Sequence, residues 1–427
     1  MINILKKVLI GSVLFFSLHL QSQTRHELSL ESAIQYALQN NKQLQNASLA
    51  MLEAHESYKA TIAQGLPQAE AKMDYQDFFN AKAFIGPMVF TFNPTSNLSF
   101  SVGQLVFNGS YIVGIQMAKL YKEITEVSYK KTDAEIKAQV TNAYTIVLIS
   151  QQTMSILDKN VNNMDDVLSK TEALVKVGIL DETSRDQIAL QKQMLQNSVK
   201  TAERQLEMAL NLLRLYLGMS ADTELTLTDN LLNLMAKADI KSSQESAFAL
   251  QHNADYQLMS LQKDLAYKGV LMEKVKFLPT ATGFYSHTEK LKKPQLDFSP
   301  KNVIGINISI PLFTSGNRYF NHNKAKYKLL SVDNQLALVG EQLLIQERQL
   351  RYNLNSAMEQ FEAQKENVEL ARRVYDKIYL KYQQGIVSSI DLTTANSTML
   401  QAENSYNMSI LQLLEAKTAL DKLLNKL

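Results

Sequence analysis

The sequence contains no cysteine in 427 residues. That excludes disulfides, thiolate metal sites, thiol nucleophiles and any lipid anchor carried on a cysteine. Helix breakers are scarce: 7 Pro and 14 Gly, roughly a third and a half of average usage. With many Gln, Asn, Ala, Leu, Lys and Glu, this predicts long helices. An excess of one charge sign is missing, because 44 Lys and Arg oppose 42 Asp and Glu for a net +2. Without a basic patch interleaved with aromatics, nucleic acid is not an expected partner. Catalytic signatures are missing too. No Walker-A, G-x-G-x-x-G, G-x-S-x-G or H-E-x-x-H pattern occurs, and His19, His26, His55, His252, His287 and His322 have no ligand spacing. Carboxylates sit on predicted helix faces, where solvation and i,i+4 pairing account for them. No enzyme activity, cofactor or metal site is expected.

Long apolar runs are nearly absent. The one present, Val8 to Leu20 behind Lys6 and Lys7, is short of the ~20 residues that span a bilayer and fits a secretory signal peptide over residues 1–23. Cleavage is expected near Ser22 or Gln23, so the mature chain is exported. No later stretch reaches ~18 apolar residues, so no transmembrane helix is predicted.

What the chain does contain is itself, twice. "ESAIQYALQNN" (Glu31 to Asn41) returns as "ESAFALQHN" (Glu245 to Asn253), and Leu66-Pro67 returns as Leu278-Pro279 at an offset of 212. "LVFNGS" (Leu105 to Ser110) resembles "PLFTSGN" (Pro311 to Asn317), with Phe107 and Phe313 offset by 206. "VKVGILDETSRDQI" echoes "YQQGIVSSIDLTTA", with Gly178 and Gly385 offset by 207. Four matches in one order indicate duplication, with a shorter loop in the second copy. The expected organisation is a first repeat over 24–218, a linking segment over 219–243 and a second repeat over 244–427. Each repeat reads as a helix (Leu30–Gln64; Ser243–Phe277), two strands (67–78 and 96–108; 279–289 and 302–313), a very long helix, a turn at Gly178 or Gly385, and a returning helix. The returning helices carry apolar residues at alternating spacings of three and four, such as Leu392, Ala395, Met399, Ala402 and Tyr406, the seam of knobs-into-holes packing.

Three of the four strands alternate, whereas the third, Pro279 to His287, is less regular, its Thr, Phe and Tyr still suiting a strand. Ala69, Ala71, Met73 and Tyr75 oppose Gln68, Glu70, Lys72 and Asp74; Leu98, Phe100, Val102 and Val106 oppose Ser99, Ser101 and Gly103; Ile304, Ile306, Ile308 and Ile310 oppose Gly305, Asn307 and Ser309. Period-two segments near ten residues fit a half-buried soluble sheet or a transmembrane barrel. Export, and the want of any core to cover the isoleucine face, favour the barrel. Four strands cannot close alone in lipid. Two copies would make a barrel filled by side chains, whereas three would make twelve strands and begin to leave a lumen. Each Leu-Pro then marks where a helix meets the membrane.

Together these features resemble the TolC-like outer membrane efflux channels, or outer membrane factors. The residues carrying the likeness are the two Leu-Pro switches, "GQLVFNGSYIVGIQMAK", "ISIPLFTSGNR", "VGI" and "QGI" at the turns, and "ERQLEMALNLLRLYLGM". The resemblance implies a mostly α fold with β: a homotrimer whose twelve-stranded barrel lies in the outer membrane and continues as a helical coiled-coil barrel through the periplasm. Residues Ser220 to Gln244, with the chain ends, would form a belt around its middle. It implies an exit duct that docks a periplasmic adaptor (membrane fusion) protein and an inner-membrane transporter. The turns Val177-Gly178-Ile179 and Gln384-Gly385-Ile386 would meet the adaptor, although Gln384 replaces the family's Val. Aspartate rings narrow the family's entrance; by spacing, the first falls on Asp391 and the second on Thr394, so one ring is missing. A ring of Asp391 carboxylates in a narrow throat would favour cations; Asp391 also suits a helix cap. Leu98, Phe100, Val102, Ile304, Ile306, Ile308 and Ile310 would face outer membrane lipid, and the loops Asn80 to Ser96 and Thr288 to Pro300 would face outside. Lys290, Lys292 and Lys293 could touch lipid headgroups, but read first as a solvated charge run. The competing expectation is an exported, soluble coiled-coil protein of the periplasm.

Overall fold

The computed structural model describes residues 26–79, 81–294 and 297–427. The expected signal segment, 1–23, lies outside them. In chain order the elements are β1 (His26–Leu28), α1 (Leu30–Asn40), α2 (Lys42–Ala63), β2 (Gln68–Gln76), β3 (Lys82–Ile85), β4 (Met88–Thr91), β5 (Thr95–Phe107), α3 (Gly109–Lys176) and α4 (Glu182–Leu217). There follow β6 (Leu225–Leu227), α5 (Leu231–Lys237), α6 (Ile240–Glu245), a 3-10 turn (Leu250–His252), α7 (Ala254–Val275), β7 (Thr280–Lys292), β8 (Asn302–Ser309), α8 (Asn317–Gln383) and α9 (Ser389–Leu423).

At ~1.5 Å per residue, the 68 residues of α3 and the 67 of α8 each run about 100 Å. Neither contains an internal proline to stop it. Both Leu-Pro switches end a helix in one way. Leu66 N donates to Ala63 O and Leu278 N to Val275 O, each at 3.0 Å. The next residue is proline, which has no N–H and disfavours helix in the residue before it.

The first helix of each repeat is shorter than expected. Leu30–Gln64 is cut at Asn41, and Ser243–Phe277 holds α6 and the 3-10 turn before α7 begins. The cause is one buried asparagine per repeat. Asn41 Oδ1 accepts from Gln43 N and Leu44 N (2.8 and 3.2 Å) while Nδ2 donates to Tyr216 O (2.8 Å). Asn253 Oδ1 accepts from Asp255 N and Tyr256 N (2.9 and 3.3 Å) while Nδ2 donates to Leu423 O (3.5 Å). An asparagine that caps one helix and ties down the end of another stabilises a break rather than continuity.

Laterally the chain is a ribbon four elements wide. The large sheet has the order β2-β5-β7-β8, with every neighbouring pair antiparallel. Towards the sheet, the helices lie α2-α3-α7-α8; towards the turns, they lie α4-α3-α9-α8. A belt at mid-length holds the main core: Tyr144, Val140 and Val147 of α3 pack with Ala33, Ala37, Leu213, Leu217, Leu231 and Ile410. Tyr144 OH donates there to Leu28 O and Asp229 Oδ2, each at 3.0 Å, and Asp229 Oδ2 also accepts from Leu30 N at 2.8 Å. The belt contains the parallel pair β1·β6. A second cluster near the turns joins Met164, Ile188, Tyr382, Leu392 and Met399, so part of the 3/4 seam of the returning helices is buried.

Candidate functional site

The register of the large sheet decides which side chains share a face. Met73 opposes Leu98, Ala71 opposes Phe100, and Ala69 opposes Val102. Val102 in turn opposes Tyr285, which opposes Ile304, while Ile306 opposes Gly283 and Ile308 opposes Ala281. The apolar sets of β2, β5 and β8 therefore fall on one side, since directly paired residues point the same way; β7 adds Ala281, Gly283 and Tyr285 to it, and then His287 opposite Phe100 and Glu289 opposite Leu98. That side is uncovered: Ile304, Ile306 and Ile308 are 83%, 69% and 61% exposed. Gln104 breaks the alternation where a register shift falls between Leu105 and Phe107.

The opposite face is polar and internally bonded. Lys72 pairs with Glu70 (3.1 Å), Asn97 Nδ2 donates to Asp74 Oδ2 (3.1 Å), and Ser99 Oγ meets Thr288 Oγ1 (3.1 Å). On this face Phe284 lies over Gly305, where a Cβ would sit 2.9 Å from the ring; Leu105 and Val303, opposite Thr282 and Ser286, share it. No described helix is long and apolar enough to cross a membrane.

Two loop expectations are corrected. β7 runs on to Lys292, so Lys290 and Lys292 are strand residues. The loop Asn80 to Ser96 contains a hairpin, β3 to β4, turning at Gly86 with φ +59°. Its apolar residues alternate too briefly on each side of Gly-Pro to mark strands in the sequence.

At the far end, both turns have one construction. Gly178 and Gly385 adopt φ of +75° and +73°, the left-handed conformation that closes a helix C-terminus. Ile179 N reaches back to Leu174 O (2.9 Å) and Ile386 N to Lys381 O (3.0 Å). Val177, Ile179 and Ile386 are exposed, as is Gln384. The returning helices are capped with the partners exchanged. Asp181 accepts from Ser184 N (2.9 Å) in the first repeat. In the second, Ser388 Oγ accepts from Asp391 N (3.2 Å) while Asp391 Oδ2 accepts from Ser388 N and Oγ (3.0 and 2.7 Å). The Ser388 hydroxyl and backbone N–H hold the Asp391 carboxyl below its ordinary range. Asp391 and Thr394 are both exposed, one turn apart on α9.

The two helical hairpins meet through polar groups that the apolar seam did not reveal. Thr171 Oγ1 bonds Tyr382 OH at 2.8 Å between α3 and α8, and Ser389 Oγ donates to Gln187 Oε1 at 2.6 Å between α9 and α4. Asn396, Glu403 and Asn407 are buried on α9. Glu403 Oε1 accepts from Arg372 Nη2 (2.9 Å); both amide atoms of Asn396, Asn407 Nδ2 and Glu403 Oε2 have no partner among the described residues. The seven-residue spacing Ser389, Asn396, Glu403 was the available signal.

The outer membrane efflux protein family matches residues 33–219 and 246–426, the two repeats. The chain is 23% identical over 391 residues to the outer membrane protein TolC of Salmonella enteritidis, covering 88% of this chain and 77% of that one. Among solved structures it is similar to CusC (TM-score 0.77, 15% identity, 93% and 92% of the two chains). It is also similar to the outer membrane channel CmeC of Campylobacter jejuni (0.74, 16%, 92% and 85%) and to the outer membrane protein VceC of Vibrio cholerae (0.73, 16%, 92% and 95%).

Proposed function

From the premise that the chain belongs to the outer membrane efflux protein family, we propose that three copies form one duct. Each contributes four strands to a twelve-stranded barrel in the outer membrane and its long helices to a tunnel through the periplasm. The observation that carries this is the unclosed ribbon. One edge consists of β2, α2 and α4; the other consists of β8 and α8. Both edges expose apolar side chains: Leu49, Leu52, Leu190 and Met194 on the first, Tyr327, Leu338, Ile345 and Tyr352 on the second. Unlike edges that complement one another close into a ring. Hydrocarbon forbids unpaired strand edges, so β8 of one copy pairs with β2 of the next. The isoleucine face then meets lipid, and the Glu70–Lys72, Ser99–Thr288 face lines water.

The turns at Val177-Gly178-Ile179 and Gln384-Gly385-Ile386 are the docking points for a periplasmic adaptor (membrane fusion) protein, which joins the duct to an inner-membrane transporter. Energy for transport comes from that transporter. Three Asp391 carboxylates ring the entrance, with Thr394 one turn inside.

The mature protein, extracted from outer membrane in detergent, is expected to have the mass of three chains and to give stepwise conductance in a planar bilayer. A monomer released with the soluble periplasm would instead support the scaffold reading.

A further inference from the structure

We propose that the outer rim of each protomer binds phosphate groups of outer-leaflet lipid through Lys292 and Lys293, beside the Tyr75 ring. This rests on the membrane reading above. The segment from Thr288 to Lys301 carries four lysines near the sheet's outer end, and the structure separates them into two kinds. Lys290 is paired with Asp297 and also donates to Ser299 O (2.7 Å). Lys301 is held by both oxygens of Glu289, at 2.9 Å each. Those two are neutralised from within. Lys292 and Lys293 are exposed, and neither has an ion-pair partner among the described residues.

Lys292 is also placed on the membrane side. It opposes Ser96, which opposes Tyr75, and Tyr75 continues the outward set Ala69, Ala71, Met73. The Lys292 ammonium lies 5.2 Å from the Tyr75 ring centroid, within cation–π reach. Going outward along β2 on this face, the side chains pass from Ala69, Ala71 and Met73 to Tyr75 and then to Lys292, while β7 places His287 and the Lys301-paired Glu289 at the level of Phe100 and Leu98. A bilayer passes through acyl chain, interface and phosphate in that order, and tyrosine prefers the interface. Exposed Leu291 is the extra residue at the register shift that turns Lys292 to this face. Two ammonium groups outside any direct ion pair complement phosphate at that height, although the field of Lys293 reaches Asp297 and the Asp77 carboxylate accepts from Tyr75 OH (3.2 Å) beside Lys292. A solvated lysine run would have no reason to follow this order.

The test uses the full mature protein in detergent, with lipid adducts measured by native mass spectrometry. The probes are diphosphorylated lipid A, its dephosphorylated form, and inorganic pyrophosphate. Lipid A is expected to bind, the dephosphorylated lipid to bind far more weakly, and pyrophosphate to compete poorly. Lys292→Gln with Lys293→Gln should weaken lipid A binding by about 30-fold, roughly fivefold per lysine. Lys326→Gln with Lys328→Gln on α8 should leave it unchanged. Equal binding by the rim variant and the wild type, or by the phosphorylated and dephosphorylated lipids, overturns the proposal. Full competition by pyrophosphate would make this a free-phosphate site and overturn the lipid assignment. Failure of the wild-type chain to fractionate with outer membrane would sink the channel reading itself, a separate result.

Discussion

Asp391 shows how one side chain can belong to two structures at once. Its carboxylate closes a capping box with Ser388, and under the proposed function the same carboxylate would ring the entrance. The two roles separate by substitution. Ser388→Ala should lower stability by about 1 kcal/mol, read by thermal melting, with ion selectivity unchanged. Asp391→Asn retains an acceptor at the cap but removes the charge; it should reduce cation preference in single-channel recordings with little change in melting. Unchanged selectivity would remove the ring role and leave the cap. The sign with pH follows from the lowered pKa. The cap's contribution is present above the ordinary carboxylate range and is lost as pH falls through the lowered value. The position of Asp391 was legible from its distance to Gly385. The exchange with Asp181 and Ser184 lies in the sequence at the repeat offset of 207, but only bond geometry shows that the pairs are equivalent.

Elements differ in how far a local pattern constrains them. In β8 the alternation holds from Ile304 to Ser309, so neighbouring positions there meet opposite environments. Ile306→Arg should hinder membrane insertion, at about 2–4 kcal/mol near the bilayer midplane, whereas Asn307→Arg should insert normally and change conductance. Equal insertion of both in an outer membrane assembly assay would refute the sidedness. In α9 one face follows the 3/4 apolar pattern and another carries Asn396, Glu403 and Asn407, buried and partly unpaired. Buried polar groups without partners are destabilising, so Asn396→Leu should raise the melting temperature, by about 1 kcal/mol of stability. A lower melting temperature would mean that Asn396 has a partner in the assembled duct. The same logic explains the missed breaks at Asn41 and Asn253. Each asparagine caps a helix locally, but what it anchors, Tyr216 O or Leu423 O, is about 170 residues away.

At the scale of the molecule, the protomer is an incomplete object. Its two edges differ in sequence yet both leave apolar side chains in water, and the sheet has no cover on its isoleucine face. Ile345→Glu with Tyr352→Glu on α8 should weaken the assembly without unfolding the chain. The expected result is loss of the three-chain species in native mass spectrometry while helical circular dichroism is retained. Persistence of that species would place the contact elsewhere.

Periodicity, scarcity of breakers, and the duplicated Leu-Pro and Gly turns are properties of short windows. The chain by itself therefore determined the long helices, the four strands of the large sheet, the two-sidedness of three of them and the repeat. Tertiary structure decided which strands are neighbours, that the apolar faces of β2, β5 and β8 fall on one side, which lysines are neutralised, and where helices break around distant carbonyls. Those outcomes depend on hydrogen bonds between residues far apart in sequence, and no window of the chain contains both partners.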